Sequence, residues 1–190
     1  MIPPRNPPFT IGNDICRIAR IRNILAGAYG RRFILGILRS EELKLPATAS
    51  ILRCVIEPSS QGAPHGSGLA RAAEFMAGRF AAKEAVIKAH HHRLLTFSKI
   101  AIVRTGPPTN APTQASVLDA FEKQQREGQG VLQERMGGLP EGAQIPNSGP
   151  LVAVIKGDPN VPHDTYASIS ISHDSEYATA VCLAINPEAK

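Results

Sequence analysis

Three stretches of this 190-residue chain carry polar side chains where a plain scaffold has no use for them. In Ile11-Gly12-Asn13-Asp14 a carboxylate closes a hydrophobic strand. It serves either as the cap of a following helix or as a metal ligand facing a cleft. The second stretch runs Gly78-Arg79-Phe80-Ala81-Ala82-Lys83-Glu84-Ala85-Val86-Ile87-Lys88-Ala89. Helical spacing makes Glu84 and Lys88 neighbours four apart, and gives Arg79 and Lys83 the same relation on an adjoining face. The bland reading is a solvated Glu–Lys pair. The small residues Ala77, Gly78, Ala81, Ala82, Ala85 and Ala89 argue instead for close approach by a backbone or a ligand. A hard cation such as Mg²⁺ takes one or two protein carboxylates and completes its octahedron with waters and phosphate oxygens, so Asp14 and Glu84 on separate elements suffice. A lysine beside them holds a phosphate or accepts a proton. The third stretch is Ser168-Ile169-Ser170-Ile171-Ser172-His173-Asp174, whose alternation puts the serines on one face and leaves His173 at the strand end, free to reach a phosphate. Contiguous Ser172-His173-Asp174 is not a catalytic triad, because strand neighbours point to opposite faces, and no GxSxG elbow is present. His90-His91-His92 is a transition-metal candidate, outweighed by its reading as a polar helix end.

These side chains need elements to hold them. Residues 9–15 read as a strand feeding a helix at 17–25, followed by a helical stretch at 31–38 and a helix start at 40–43, with Pro46 stopping any continuation. Residues 57–68 read as a loop. From 69 to about 90, helix-forming residues recur at three- and four-residue apolar intervals, which predicts a long helix. Residues 99–103 are a strand. Residues 105–149, rich in Pro, Gly, Gln and Asn, form an insertion with at most one short helix near 116–126. Strands follow at 151–155, 166–172 and 177–185, the last two joined in a hairpin across 174–176. The expected fold is α+β: a small antiparallel sheet packed on a long helix, one domain over 1–190 carrying the 105–149 insertion.

Composition narrows the function. The chain is 43% hydrophobic, enough to bury a core, and has no apolar run long enough to span a bilayer; the opening MIPPRNPPFT lacks the pattern of a signal peptide. A soluble protein without a membrane partner is expected. Three scattered cysteines, Cys16, Cys54 and Cys182, exclude a disulfide scaffold and a zinc ribbon and read as small core residues. Residues 1–110 hold 16 Lys and Arg against 6 Asp and Glu, whereas 111–190 hold 5 against 10. The basic half is built for an anionic partner. Without tryptophan and with three tyrosines, the chain is poorly supplied for base stacking, which favours a phosphorylated small molecule or an acidic protein over nucleic acid.

In this order, IGNDICRI, FMAGRFAAKEAVIKA and SISISHDSEYATAVCLA resemble the three motifs of the holo-acyl-carrier-protein synthase family, the small type of 4′-phosphopantetheinyl transferase. The resemblance covers roughly residues 9–30, 70–104 and 166–185. It implies transfer of phosphopantetheine from coenzyme A to a serine of an apo acyl carrier protein, releasing adenosine 3′,5′-bisphosphate. It further implies Mg²⁺ between Asp14 and Glu84. Lys88 matches a lysine near the pyrophosphate, the proton acceptor being either Lys88 or a water on Glu84. Arg79 and His173 match positions at the coenzyme A phosphates, with Lys83, Lys88 and Ser172 counted beside them. Arg17, Arg20 and Arg22 fall on the surface where the family docks its acidic carrier. The resemblance also implies a homotrimer with active sites between subunits. The Pro/Ala/Gly-rich insertion and arginine content point to a eukaryotic stand-alone member serving the mitochondrial matrix, with the cytoplasm as the fallback. Two rival readings are a Mg²⁺-dependent nucleotide or coenzyme A phosphohydrolase using the same carboxylates, and a basic nucleic-acid-binding module with no need of Glu84.

Overall fold

The computed structural model describes residues 7–57, 66–105, 149–159 and 161–186. The chain divides into two units, residues 1–103 with 150–190, and residues 104–149. The site lies in the first. Nearly all of the expected 105–149 insertion, including the short helix near 116–126, lies outside the described residues.

The first unit opens with β1 (Phe9–Arg17), then α1 (Ile18–Ala26), α2 (Gly30–Ile37), α3 (Ser40–Leu43), α4 (Pro46–Ile56) and the long α5 (Gly66–Ala89). A short 3₁₀ turn (Phe97–Lys99) leads to β2 (Ile100–Arg104); β3 (Leu151–Ile155), β4 (Thr165–His173) and β5 (Tyr177–Ile185) complete one sheet in the order β1-β5-β4-β3-β2. The pairings of β1 with β5, β5 with β4 and β4 with β3 are antiparallel. The expected α+β architecture is the observed one. The 177–185 and 151–155 strands have the expected ends, and the 174–176 hairpin is present, Asp174 accepting hydrogen bonds from the Glu176 and Tyr177 amides.

One element was not expected. The helix at Ser40–Leu43 does stop before Pro46, but Pro46 itself begins α4, because at the first helical position its missing N–H is not needed and its fixed φ suits the helix. Thr48, Leu52 and Val55, spaced four and three apart, turn that helix inward.

Alternation decides which sheet face is covered. On β5, Ala178, Ala180, Cys182 and Ala184 are all buried against α5, whose Ala77, Ala81, Ala82, Ala85, Val86 and Ala89 are likewise buried. Small residues on both sides let helix and sheet approach closely. The opposite face of the same strands carries Ile11, Ile15, Val181 and Leu183, of which Ile11 is 70% and Ile15 63% exposed. Cys16 and Cys182 are buried, and burial pushes the Cys182 thiol up to about 12, so these two cysteines act as small core residues. Among the described residues no helix is long and apolar enough to cross a membrane.

Candidate active site

β1 and α5 meet at Gly12. A Cβ there would overlap the Ala85 carbonyl oxygen and stand 2.7 Å from the Ala89 amide nitrogen. Because strand side chains alternate, Asp14 lies on the same face two residues along, which delivers its carboxylate to the C-terminal half of α5. Lys88 Nζ donates to Asp14 Oδ1 at 2.8 Å and to the Asn13 carbonyl at 3.0 Å. The Asp14 backbone is itself held, its carbonyl accepting a 3.0 Å hydrogen bond from Thr179 Oγ1, while Asn13 Nδ2 donates to the Ala180 carbonyl at 3.2 Å. Glu84 stands one helical turn before Lys88 on the same side of α5.

Glu84 is half-buried, yet it takes part in no hydrogen bond or ion pair among the described residues, and Asp14 Oδ2 accepts no donor there. Carboxylates with open oxygens on β1 and α5, joined through Lys88, are hard donors of the kind that Mg²⁺ takes, with Lys88 as the countercharge to Asp14. Among the described residues no group of three His, Cys, Asp or Glu is assembled. Two carboxylates with the remaining positions left to water and phosphate is the usual habit of this cation.

The other expected residues have different placements. Lys83 does not face a phosphate. Its ammonium is fully buried, donating to the Ile37 carbonyl at 2.6 Å and to Glu42 Oε2 at 2.5 Å, and burial pulls its pKa down against the opposing pull of Glu42. Helix phase explains the difference: a residue adjacent to Glu84 turns about 100° away from it. Arg79, one turn before Lys83, donates to the Ile102 carbonyl at 2.9 Å and lies over the Phe75 ring. Ser172 and His173 are exposed at the end of β4, opposite Thr179 and Ala178. His173 falls on the face shared with Asp14, two strands away, and Ser172 on the other face. Arg17 ends β1 rather than joining the helix, while Arg20 and Arg22 are exposed on α1, Arg20 lying over the Phe80 ring. His90 is buried, its Nδ1 2.8 Å from the Val86 carbonyl, whereas His91 and His92 are exposed. The structure thus pairs Lys88 with Asp14 and sets Glu84 one helical turn before Lys88, while Arg79 rests on the Ile102 carbonyl and Ser172 and His173 stand at the end of β4.

Sequence reasoning missed Glu42 and Thr179. Glu42 was visible only as part of a helix start, and Thr179 only as a strand residue; their roles need long-range pairing.

A long helix thus crosses a small antiparallel sheet, with Lys88 and Asp14 paired at the crossing and Glu84 one helical turn before Lys88. The family comparison gives the class: residues 10–131, more than half of the chain, match the model described as the 4′-phosphopantetheinyl transferase superfamily. The chain belongs to that superfamily. Its reaction is transfer of the phosphopantetheine group from coenzyme A to an apo acyl carrier protein. The match includes Asp14, Arg79, Glu84 and Lys88, while the third motif lies beyond it. Among solved structures, the chain is similar to a holo-ACP synthase from Plasmodium yoelii (22% identity, 93% of this chain and 94% of that one, TM-score 0.45). It is also similar to the holo-[acyl-carrier-protein] synthases of Neisseria meningitidis (21%, 93% and 98%, 0.44) and, in complex with coenzyme A, Helicobacter pylori (22%, 93% and 99%, 0.42). No curated protein matches the chain by sequence.

Proposed function

We propose that this protein is a Mg²⁺-dependent holo-[acyl-carrier-protein] synthase in which Asp14 and Glu84 hold the metal and Lys88 works beside them. The observation that carries this reading is the Lys88–Asp14 pair at 2.8 Å with the half-buried Glu84, which has no partner among the described residues, one turn away. When bound, the metal supplies neutralisation of the pyrophosphate charge and support for the departing phosphate. The carrier serine oxygen bonds to the β-phosphorus of coenzyme A, and the bond from that phosphorus to adenosine 3′,5′-bisphosphate breaks. The serine proton leaves toward α5, to a water held by Glu84 or to Lys88 once its ammonium has given up a proton. Lys88 Nζ, bound to Asp14 and the Asn13 carbonyl, is fixed beside the place where those charges gather.

Arg79, His173 and Ser172 are read as ligands of the coenzyme A phosphates, and the exposed Arg20 and Arg22, with Arg17, as the docking surface for an acidic carrier. The placing of Ser172 and His173 on β4, two strands from the Asp14 strand, supports a site shared between subunits. The exposed apolar face of β1 and β5 supports a homotrimer, because a second copy would cover it. We keep 1–190 as one transferase domain with an insertion, and the mitochondrial matrix as its location; a tagged full-length chain followed by cell fractionation tests the latter.

The test of function is intact-mass spectrometry of an apo acyl carrier protein incubated with the enzyme, coenzyme A and Mg²⁺. A phosphopantetheine-sized gain that is lost with EDTA, and falls at least about a hundredfold in rate in Asp14→Ala and Glu84→Ala, is expected. Activity surviving both substitutions would remove the metal pair. Coenzyme A consumed without carrier modification would replace the transferase with a phosphohydrolase.

A further inference from the structure

The 1% exposed Glu42 lies outside all three motifs, yet its carboxylate joins three elements. Oε2 accepts from Lys83 Nζ at 2.5 Å and from the Arg39 amide at 3.0 Å; Oε1 accepts from the Ile102 amide at 3.2 Å. Lys83 immediately precedes Glu84 on α5. Ile102 is the β2 residue whose carbonyl accepts from Arg79 at 2.9 Å. One buried anion therefore contacts the neighbour in sequence of the metal candidate, and through a single residue of β2 it meets the partner of the phosphate candidate.

Helix geometry turns this anchoring into an orientation. Consecutive side chains on a helix differ by about 100°, so fixing the direction of Lys83 fixes that of Glu84 and, one turn on, of Lys88. On the side of β1, α5 is held among the described residues by the half-exposed Lys88–Asp14 pair, by the close backbone approach at Gly12 and by contacts of small residues, which resist rotation less than a fully buried ion pair does. The Ile37 carbonyl, the other acceptor of Lys83, is the last residue of α2. The cluster thus clamps α5 to α2, α3 and β2 on the side away from Asp14.

We infer that Glu42 is a positioning residue for the transfer reaction: through Lys83 and Ile102 it sets the rotation of α5 that aims Glu84 and Lys88 at Asp14 and holds the strand on which Arg79 rests. This rests on the proposed metal pair and deepens it. A purely structural ion pair is the competing account, and buried pairs are often replaced by apolar residues of like volume without loss of stability. The two accounts therefore part in a folded variant.

The experiment compares the wild type, Glu42→Gln and the double substitution Glu42→Met/Lys83→Met, each checked for folding by circular dichroism and thermal melting. Carrier modification yields kcat and the KM for coenzyme A and for carrier. Mn²⁺ binding in the presence of coenzyme A is measured separately by water-proton relaxation, with Asp14→Ala as the blank. Positioning predicts that the folded double variant loses about 10- to 100-fold in kcat and in Mn²⁺ affinity, the scale on which groups behind a metal ligand act, while the carrier KM stays within about twofold. Glu42→Gln, which removes the charge and keeps one of the two acceptor oxygens, should fall between. A folded double variant with kcat and Mn²⁺ affinity within about twofold of wild type overturns the inference. So does a double variant that cannot fold while Glu42→Gln folds with both quantities unchanged. If the wild type modifies no carrier, it is the proposed function that has failed; the Mn²⁺ comparison still decides whether Glu42 sets the carboxylate pair.

Discussion

Lys88 is 51% exposed at its side chain, so its ion pair with Asp14 is screened and its contribution to stability is under about 1 kcal/mol. Its substitution should therefore separate chemistry from folding. Lys88→Met is expected to melt within a degree or two of wild type while transfer falls at least about a hundredfold; an equal loss in melting temperature and rate would recast the residue as structural. His90 behaves in the opposite sense, being a matter of stability alone. Burial draws its pKa below the ordinary value of 6.5, aided by His92, Arg93 and His91 and opposed by the hydrogen bond to the Val86 carbonyl. A folded-state value below the unfolded one means that the protein binds fewer protons at this site than the open chain does. The corresponding stability is whole above pH 6.5 and is lost as pH falls through the folded value. Melting scans between pH 7.5 and 5 should show that decline, and His90→Gln should flatten it; an unchanged slope would assign the decline elsewhere. At this scale residue type and spacing single out Asp14, Glu84 and Lys88 as candidates, and the pairing of Lys88 with Asp14 is what the structure adds. The burial of Lys83 was not legible, because a lysine in a polar-looking motif gives no sign of which side of the helix is interior.

At the scale of elements, the crossing of β1 and α5 places the site, and Gly12 permits the crossing. The obstacle to any side chain there is backbone rather than a movable rotamer. Gly12→Ala is expected to cost at least the roughly 1–3 kcal/mol typical of overpacking, with metal binding lost in whatever fraction folds. Denaturant melts and Mn²⁺ titration of the variant check both, and a stable, metal-binding Gly12→Ala would mean that the crossing is not tight. By contrast Gly78, where a Cβ would meet only the Ile171 Cγ2 at 3.1 Å, has a neighbour that can yield, and Gly78→Ala should be far milder. The elements themselves were mostly readable. Period-2 alternation gave away β4 and β5, and the run of helix formers marked α5. α4 was missed because proline ends a helix from within and starts one from its first turn; only the position, which local sequence does not state, separates the two.

For the whole molecule, the uncovered face of β1 and β5 is the feature in search of a partner. Light scattering is expected to give about three times the chain mass of 20.3 kDa, and Ile15→Lys combined with Val181→Lys to give a monomer that still binds Mn²⁺ weakly but no longer modifies carrier. A wild-type monomer that is fully active would remove the shared site. The basic first half of the chain makes a second prediction at this scale. Arg20→Glu with Arg22→Glu should raise the carrier KM and blunt its dependence on salt while leaving the KM for coenzyme A unchanged, because exposed charges act mainly on encounter. An unaltered carrier KM would locate docking elsewhere.

The sequence by itself determined the class of chemistry and most of the elements, since residue types, their helical or strand spacing and the order of three motifs are local properties of a chain. It could not determine that Lys83 turns inward to Glu42, that Thr179 holds the Asp14 carbonyl, or that Gly12 admits the backbone of α5. Each of these joins residues from about 40 to 165 positions apart. Their geometry is fixed only when the sheet and the long helix pack, because the direction of a side chain across an interface depends on the rotation of the whole element that carries it.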